Sequence, residues 1–268
     1  MLKVSSLHIY PIKSCAAVDL TAIRFDTRGP LLDRRWMLID KDGNFVTQRQ
    51  EPRLCQVRPS ITPLSLQVEA PGMQQLKVPL GAGRGPRVRA QVWGHETQAE
   101  FVGDEAADWF SDALQQNLRL VRWADEQERP VSHRHTELES QTAFSDGYPV
   151  LLISEASLAE LNGKLQQKVT MDRFRPNIVV RGCDAFAEDR FRRLSVGDMT
   201  LHGVKPCDRC SITTVDPRSA QAGKEPLATL STFRTFDNRV LFGINCVHGG
   251  FGNIREGDTL EVLEEASA

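Results

Sequence analysis

Eleven consecutive residues, Cys207 to Pro217 (CDRCSITTVDP), bring together two cysteines, an arginine, three hydroxyl side chains and two aspartates. Cys207 and Cys210 form a C-x-x-C, a spacing shared by half of a zinc site and by thioredoxin-like redox pairs. A complete tetrahedral zinc site needs two more ligands, and the candidates, Cys183 and Cys246, belong to no second close pair. A thioredoxin motif sits between a strand and a helix, whereas a strand-like run, Ile212 to Val215, follows here. A single reactive thiolate fits the segment better, with Arg209 as the adjacent cation and a soft or high-valent transition metal as partner. An unreactive buried cysteine pair beside a turn is the alternative.

A second set of residues is basic. Lys13-Ser14 follows Ile9-Tyr10-Pro11, Arg34-Arg35 follows Asp33, and Gln48-Arg49 follows the next hairpin strand. Three basic spots at strand ends can converge on one anion. Guanidinium groups bind phosphate bidentately, and hydroxyls or backbone N–H groups complete the shell. In DRFRPNIVV, Asp172 to Val180, Arg173 and Arg175 precede a buried strand. Alternation points both to the same side, and Pro176 favours an extended backbone before it. For any one of these residues the alternative is solvated strand-end charge.

Other chemistries find less support. The six histidines show no metal-ligand spacing, and Gly249-Gly250-Phe251-Gly252 lacks the Lys-Ser/Thr of a nucleotide-binding Walker loop. The net charge of -2 over 268 residues creates no global field toward nucleic acid or an anionic membrane, so a bound anion must be met by a local cluster of Arg and Lys. No run of apolar residues is long enough for a transmembrane helix. The opening residues alternate like a strand and lack the apolar core of a signal peptide, so a cytoplasmic location is expected. Six scattered cysteines argue against a disulfide scaffold.

These residues need strands to position them. Val4 to Tyr10, Leu20 to Phe25, Trp36 to Asp40, Leu64 to Glu69 and Val88 to Trp93 are rich in β-branched or aromatic residues and are punctuated by Gly, Pro and Asp. The pattern predicts a helix from Asp104 to about Gln116, with Asp104 as N-cap and Ala107, Phe110, Ala113 and Leu114 on its apolar face. Ala124 to Ser145 is polar and reads as a linker or a long active-site loop. Beyond it, Val150 to Ile153 is a buried strand. Ser154 or Ser157 opens a helix to about Gln167, Ser157 and Glu160 fit a capping box, Ile178 to Arg181 is a strand, and Pro226 to Phe233 is a short helix. Val196 to Leu201 and Glu256 to Glu261 look like two similar hairpin pieces of one barrel. The expected fold is mainly β with about three peripheral helices: a β-barrel domain over 1–123, the polar segment 124–145, and a second β-barrel domain over 146–265.

Five segments together carry a family resemblance: IYPIKSC (Ile9 to Cys15), DRRWMLID (Asp33 to Asp40), FSDGYPVLLIS (Phe144 to Ser154), FRPNIVV (Phe174 to Val180) and CDRCSITTVDP. In this order, over nearly the whole chain, they resemble the MOSC proteins with an N-terminal MOSC β-barrel domain. That branch includes the mitochondrial amidoxime reducing components and bacterial MOSC proteins with a fused ferredoxin. The resemblance implies binding of molybdenum cofactor (Mo-molybdopterin), a pyranopterin dithiolene with a phosphate. It implies Cys210 as the metal ligand, with Cys207 outside the first ring of contacts. It also implies cofactor contacts at Lys13, Ser14, Arg34 or Arg35, Arg175, Asn177, Arg209, Ser211 and Thr213. Arg49 and Arg173 join this set from the basic clusters.

The implied activity is reduction of N-hydroxylated compounds (hydroxylamines, amidoximes, N-hydroxylated base analogues) to amines. No C-x4-C-x2-C ferredoxin motif follows the last expected strand, Thr259 to Leu263. Electrons are therefore expected from a separate partner, whether ferredoxin-like, flavin or haem reductase, with no nucleic acid and no membrane involved. Asp216 is a candidate for proton handling or, before Pro217, a turn opener. The second implied reading is a sulfur carrier acting through a Cys210 persulfide, because MOSC domains are also associated with pyridoxal phosphate desulfurases. A cofactor-storage module is a third.

Overall fold

The computed structural model describes residues 1–80 and 85–266. Strands dominate, as the alternating apolar pattern requires, and the main-chain path is organised by one large sheet. Its order is Leu260–Glu265, Phe191–Val196, Met199–Asp208, Arg239–Gly249, Val150–Ser154, Ile178–Arg181, Lys3–Ile9 and Val18–Leu20. The first twenty residues thus complete a sheet made by the second half of the chain. In Lys3–Ile9 the buried residues are Val4, Leu7 and Ile9, and a bulge between Val4 and Ser6 shifts the alternation.

One neighbouring pair in this sheet is parallel, Val150–Ser154 with Ile178–Arg181. A parallel pair needs a crossover, and the helix Glu155–Lys164 supplies it. Ser154 is its N-cap, with Oγ accepting from the Ser157 N–H at 3.0 Å. The Ser157–Glu160 capping box does not form. Ser157 lies inside the helix, and Glu160 pairs with Lys164 at 2.9 Å instead. Every residue of Val150–Ser154 is buried, which suits a strand covered on both faces. Leu152, Ile178, Val180, Leu201 and Ile244 join Leu7 and Ile9 in the core on one face.

The first half adds a four-stranded sheet, Trp36–Ile39, Arg119–Arg122, His95–Phe101 and Arg87–Val92, and a three-stranded one, Arg58–Ile61, Ser65–Glu69 and Leu76–Pro79. The helix Asp104–Leu114 buries Ala106, Phe110 and Leu114 against them. Its cap is Gly103, so Asp104 is the first helical residue, where a carboxylate favours the helix dipole. The buried alanine is Ala106 where the sequence pointed to Ala107. The helix stops at Leu114 because Gln115 turns left-handed, at φ 52°.

Two further expectations change. Ile212 to Val215 is no strand: Ser211–Thr214 is a 3-10 turn, with Thr213 and Thr214 hydroxyls donating to the carbonyls of Cys210 and Ser211. Of the two similar hairpin pieces, the first is a hairpin between Phe191–Val196 and Met199–Asp208. The second is a corner. Asn253–Arg255 pairs with Ala22–Asp26, while Leu260–Glu265 returns to Phe191–Val196. The polar segment after Arg122 forms no helix or strand before Val150. Its end is held by Arg129, whose guanidinium donates to the carbonyls of Ala143, Ser145 and Asp146.

Backbone proximity sets one testable position. Gly243 has φ +78°, and a Cβ there would stand 2.6 Å from Ile153 Cγ1 and 3.0 Å from the Leu152 carbonyl oxygen. Gly243→Ala is expected to destabilise the fold by about 1–3 kcal/mol, read as a lower denaturation midpoint.

Candidate functional site

The strand Lys3–Ile9 leaves the large sheet at Tyr10 and crosses toward the first half of the chain. Ile12 bridges Trp36, and the Lys13 N–H donates to the Trp36 carbonyl at 2.8 Å. Ser14 then turns at φ 68°, its carbonyl accepting from Gln48 Nε2 at 2.6 Å. Arg34 precedes the strand Trp36–Ile39 at φ 46°, its N–H bonded to the Tyr10 carbonyl. Arg175 precedes the strand Ile178–Arg181 at φ 58°. The extended backbone expected before Pro176 is therefore absent. Left-handed backbone costs a side-chain-bearing residue roughly 1–2 kcal/mol, and persists where its surroundings over-determine it. All three residues line one open cleft of about 800 Å³, with Lys13, Asn177, Arg209, Cys210 and Thr213.

Buried polar groups fix the floor of this cleft. Asn177 is 1% exposed. Its Oδ1 accepts from Arg34 Nη1 (3.1 Å) and the Leu151 N–H (3.2 Å), and its Nδ2 donates to the His8 carbonyl and to Asp33 Oδ1, both at 3.1 Å. Asp33 also accepts from the Tyr10 N–H and pairs with Arg34 Nη1 at 2.6 Å. The guanidinium carbons of Arg34 and Arg175 each stand 4.2 Å from the Tyr10 ring centroid. Burial pushes the Tyr10 phenol up, against the pull of Arg175 and Arg34, so it stays a neutral donor to the Pro176 carbonyl at 3.1 Å. Burial draws the Arg175 guanidinium down; its Nη1 donates to the Cys15 carbonyl at 2.6 Å.

A second chain of contacts reaches the sulfur. Lys13 is buried, and its Nζ donates to the Phe144 carbonyl (2.7 Å) and to Asp146 Oδ1 (2.5 Å). Burial draws the Lys13 ammonium down and Asp146 opposes this. Desolvation pushes the Asp146 carboxyl up, but the Lys13 charge and hydrogen bond outweigh it, with help from the Trp93 indole N–H at 3.1 Å. The group is held well below the usual carboxylate range. Arg49 lies over the Trp93 ring, 5.0 Å from its centroid, and donates through Nη2 to Cys210 Sγ at 3.2 Å. Cys210 itself stands just past the strand Met199–Asp208, where the Arg209 N–H is still bonded to the Val240 carbonyl. The Arg209 guanidinium donates to Cys207 Sγ (3.0 Å) and the Phe174 carbonyl (2.7 Å), while its buried Nε has no partner.

The structure thus gathers Lys13, Ser14, Arg34, Arg49, Arg175, Asn177, Arg209, Cys210 and Thr213. Arg49 reaches the cleft only through its contact with Cys210, and four other predicted residues fall outside it. Arg35 is buried against Asp26 at 2.5 Å, because consecutive residues at a strand entrance point to opposite sides. Arg173 sits in the 3-10 turn Met171–Arg173, so strand alternation with Arg175 does not apply; it bonds the Thr214 carbonyl and pairs with Asp216 at 3.3 Å. Asp216 is engaged by that pair and by the Arg218 N–H, the geometry of a turn opener. Ser211 is exposed in its 3-10 turn. Residues not foreseen are Tyr10, Trp93 and Asp146. Asp146 lay within a recognisable segment, but Asp-Gly reads as turn chemistry, and nothing local ties it to Lys13, 133 residues away.

The donor set decides what can fit. Among the described residues neither Arg175 nor Arg209 has a carboxylate ion-pair partner, and no group of three or more His, Cys, Asp or Glu could hold a metal ion. Partly buried guanidinium groups without carboxylates suit an anionic ligand. A metal at Cys210 needs its remaining donors from outside the chain. An anionic group that brings both phosphate and further sulfur or oxygen donors fits both conditions.

Comparison with known proteins gives the chain's family. Residues 1–117 match the family model described as MOSC N-terminal beta barrel domain, and residues 139–261 match the MOSC domain. Mitochondrial amidoxime reducing component 2 of Rattus norvegicus is 38% identical over 275 residues, covering 95% of this chain and 81% of that protein. The Bos taurus protein of the same name is 38% identical over 273 residues, with the same coverage. Mitochondrial amidoxime-reducing component 1 of Homo sapiens is 37% identical over 278 residues, covering 97% and 82%.

The Lys13–Asp146 pair predicts a pH dependence. An unfolded aspartate titrates near about 3.9. Asp146 is held lower in the folded chain, so its contribution is complete at neutral pH and is lost as pH falls below about 4 through the folded value. Asp146→Asn is expected to lower stability at pH 7 and to flatten its decline below about pH 4, measured by denaturant unfolding across the acid range.

Proposed function

The chain belongs to the MOSC proteins with an N-terminal MOSC β-barrel domain, and from that premise we propose that it is a molybdenum-cofactor oxidoreductase that reduces N-hydroxylated compounds to amines. The relatives' name, amidoxime reducing component, states the chemistry. The single observation that carries it here is the Cys210 thiol at a cleft where guanidinium groups outnumber their carboxylate partners.

In this reading Cys210 is the protein's one ligand to molybdenum. Lys13, Ser14, Arg34, Arg175, Asn177 and Arg209 hold the pterin and its phosphate. When bound, the cofactor supplies the two-electron chemistry by which an N–OH group, two electrons and two protons become an N–H group and water. The chain's own residues bind and orient. Arg49 donates an N–H to Cys210 Sγ at 3.2 Å, a contact that would orient the ligand sulfur. Arg209 donates to Cys207 Sγ and so gives the second sulfur of the C-x-x-C its own guanidinium partner. The Asn177–Asp33–Tyr10 floor holds the Arg34 and Arg175 guanidiniums in place. Burial holds the Tyr10 phenol up and the Lys13 ammonium holds the Asp146 carboxyl down, so the folded chain carries a neutral Tyr10 and an ionised Asp146 near neutral pH. Electrons come from a separate redox protein.

The test uses protein from a molybdenum-replete host, with metal and pterin content and reduction of an N-hydroxylated substrate by an artificial donor as readouts. Cys210→Ser is expected to lose turnover by more than about a hundredfold, beyond the range typical of residues that only support a ligand, while Cys207→Ser keeps a part of it. Equal turnover of wild type and Cys210→Ser would refute the ligand assignment. Lys13→Ala and Arg175→Ala are expected to lower molybdenum content, and full occupancy in both would count against the anion pocket.

A further inference from the structure

The turn that carries Trp93 has the wrong residue for its geometry. Trp93 and Gly94 form the two-residue loop of a hairpin in which Val92 pairs with His95. Positive φ at the first loop position, without it at the second, is the II′ pattern, which favours Gly at the first position. Trp93 takes that position at φ 54°, a conformation that disfavours a bulky side chain. The residue is 41% exposed, so core burial does not compensate.

Yet the ring is held firmly. Its Nε1–H is bonded to Asp146, which lines the cleft, Arg49 lies over it, and Phe45 packs against it at 5.2 Å between centroids. Arg49 also touches Cys210 Sγ, so only one side chain separates the indole from the sulfur. A half-exposed indole kept in a disfavoured backbone conformation, and tied to a cleft residue through Asp146, is a surface for a ligand. We propose that Trp93 is a stacking platform for the planar part of the substrate, selecting N-hydroxylated compounds with an aromatic or conjugated ring over small aliphatic ones. The inference rests on the reductase reading for the substrate's N–OH group, and on the hairpin geometry for the ring. Stacking on indole is sequence-tolerant and shape-selective: any flat π-system gains from it, and a saturated chain does not.

The experiment compares benzamidoxime with acetamidoxime, which share the reacting group and differ in the ring, on holoenzyme with reduced viologen as donor. Trp93→Leu is expected to lower the ratio of their kcat/KM values about tenfold, through a higher KM for benzamidoxime, and Trp93→Phe to restore most of the ratio. Calorimetric titration of benzamidoxime, which needs no turnover, is expected to show about tenfold weaker binding to Trp93→Leu than to wild type. An unchanged ratio, or equal benzamidoxime binding by wild type and Trp93→Leu, would overturn the platform. Trp93-dependent binding without turnover of either compound would support the platform and defeat the reductase reading.

Discussion

The buried side-chain amide of Asn177 is the interaction on which the cleft depends. It ties the end of one strand to the backbone of another through His8 and Leu151, and it aims Arg34 by accepting one of its N–H groups. Asp33 closes the network by accepting from Asn177, from Arg34 and from the Tyr10 backbone. A fully satisfied polar network in a low-dielectric floor is rigid, and removing one partner leaves the others unpaired at high cost. Through it, the point where the chain crosses from the large sheet to the first half also becomes the point where cations collect.

That collection has a purpose only if an anion arrives. Cationic side chains placed side by side repel, and three of the cleft residues additionally occupy left-handed backbone. Both features cost stability, and the structure tolerates them because packing and the Asn177 network leave no alternative. Strain and like charge concentrated in one place, with a thiol at the rim, mark a ligand-binding site.

Five of the six cysteines divide by environment into two groups. Burial pushes the Cys15 and Cys246 thiols up to about 12 and the Cys55 thiol up to about 11, so these remain protonated packing groups. Cys207 and Cys210 stand at the cleft, each touched by a guanidinium, and chain position distinguishes them. Cys207 is still on the strand and faces Arg209, whereas Cys210 lies beyond it, where the backbone curls into a 3-10 turn. Both sulfurs line the cleft, and they differ in the backbone that carries them and in the guanidinium that touches each.

The sequence alone determined the strand-rich fold, the reactive segment around Cys210, and the basic spots at strand ends, because hydrophobic period and residue chemistry are local properties. It could not choose Arg34 over Arg35 or separate Arg175 from Arg173. Those choices turn on backbone conformation at single residues, a left-handed φ or a 3-10 turn, which tertiary contacts impose against local preference. Nor could it couple Arg49 to Cys210 across 161 residues, or Lys13 to Asp146 across 133. Trp93 read as the end of a strand until the fold set it at a hairpin tip beside the cleft. Electrostatics act through space, and the spacing of charges in space exists only once the sheets have closed.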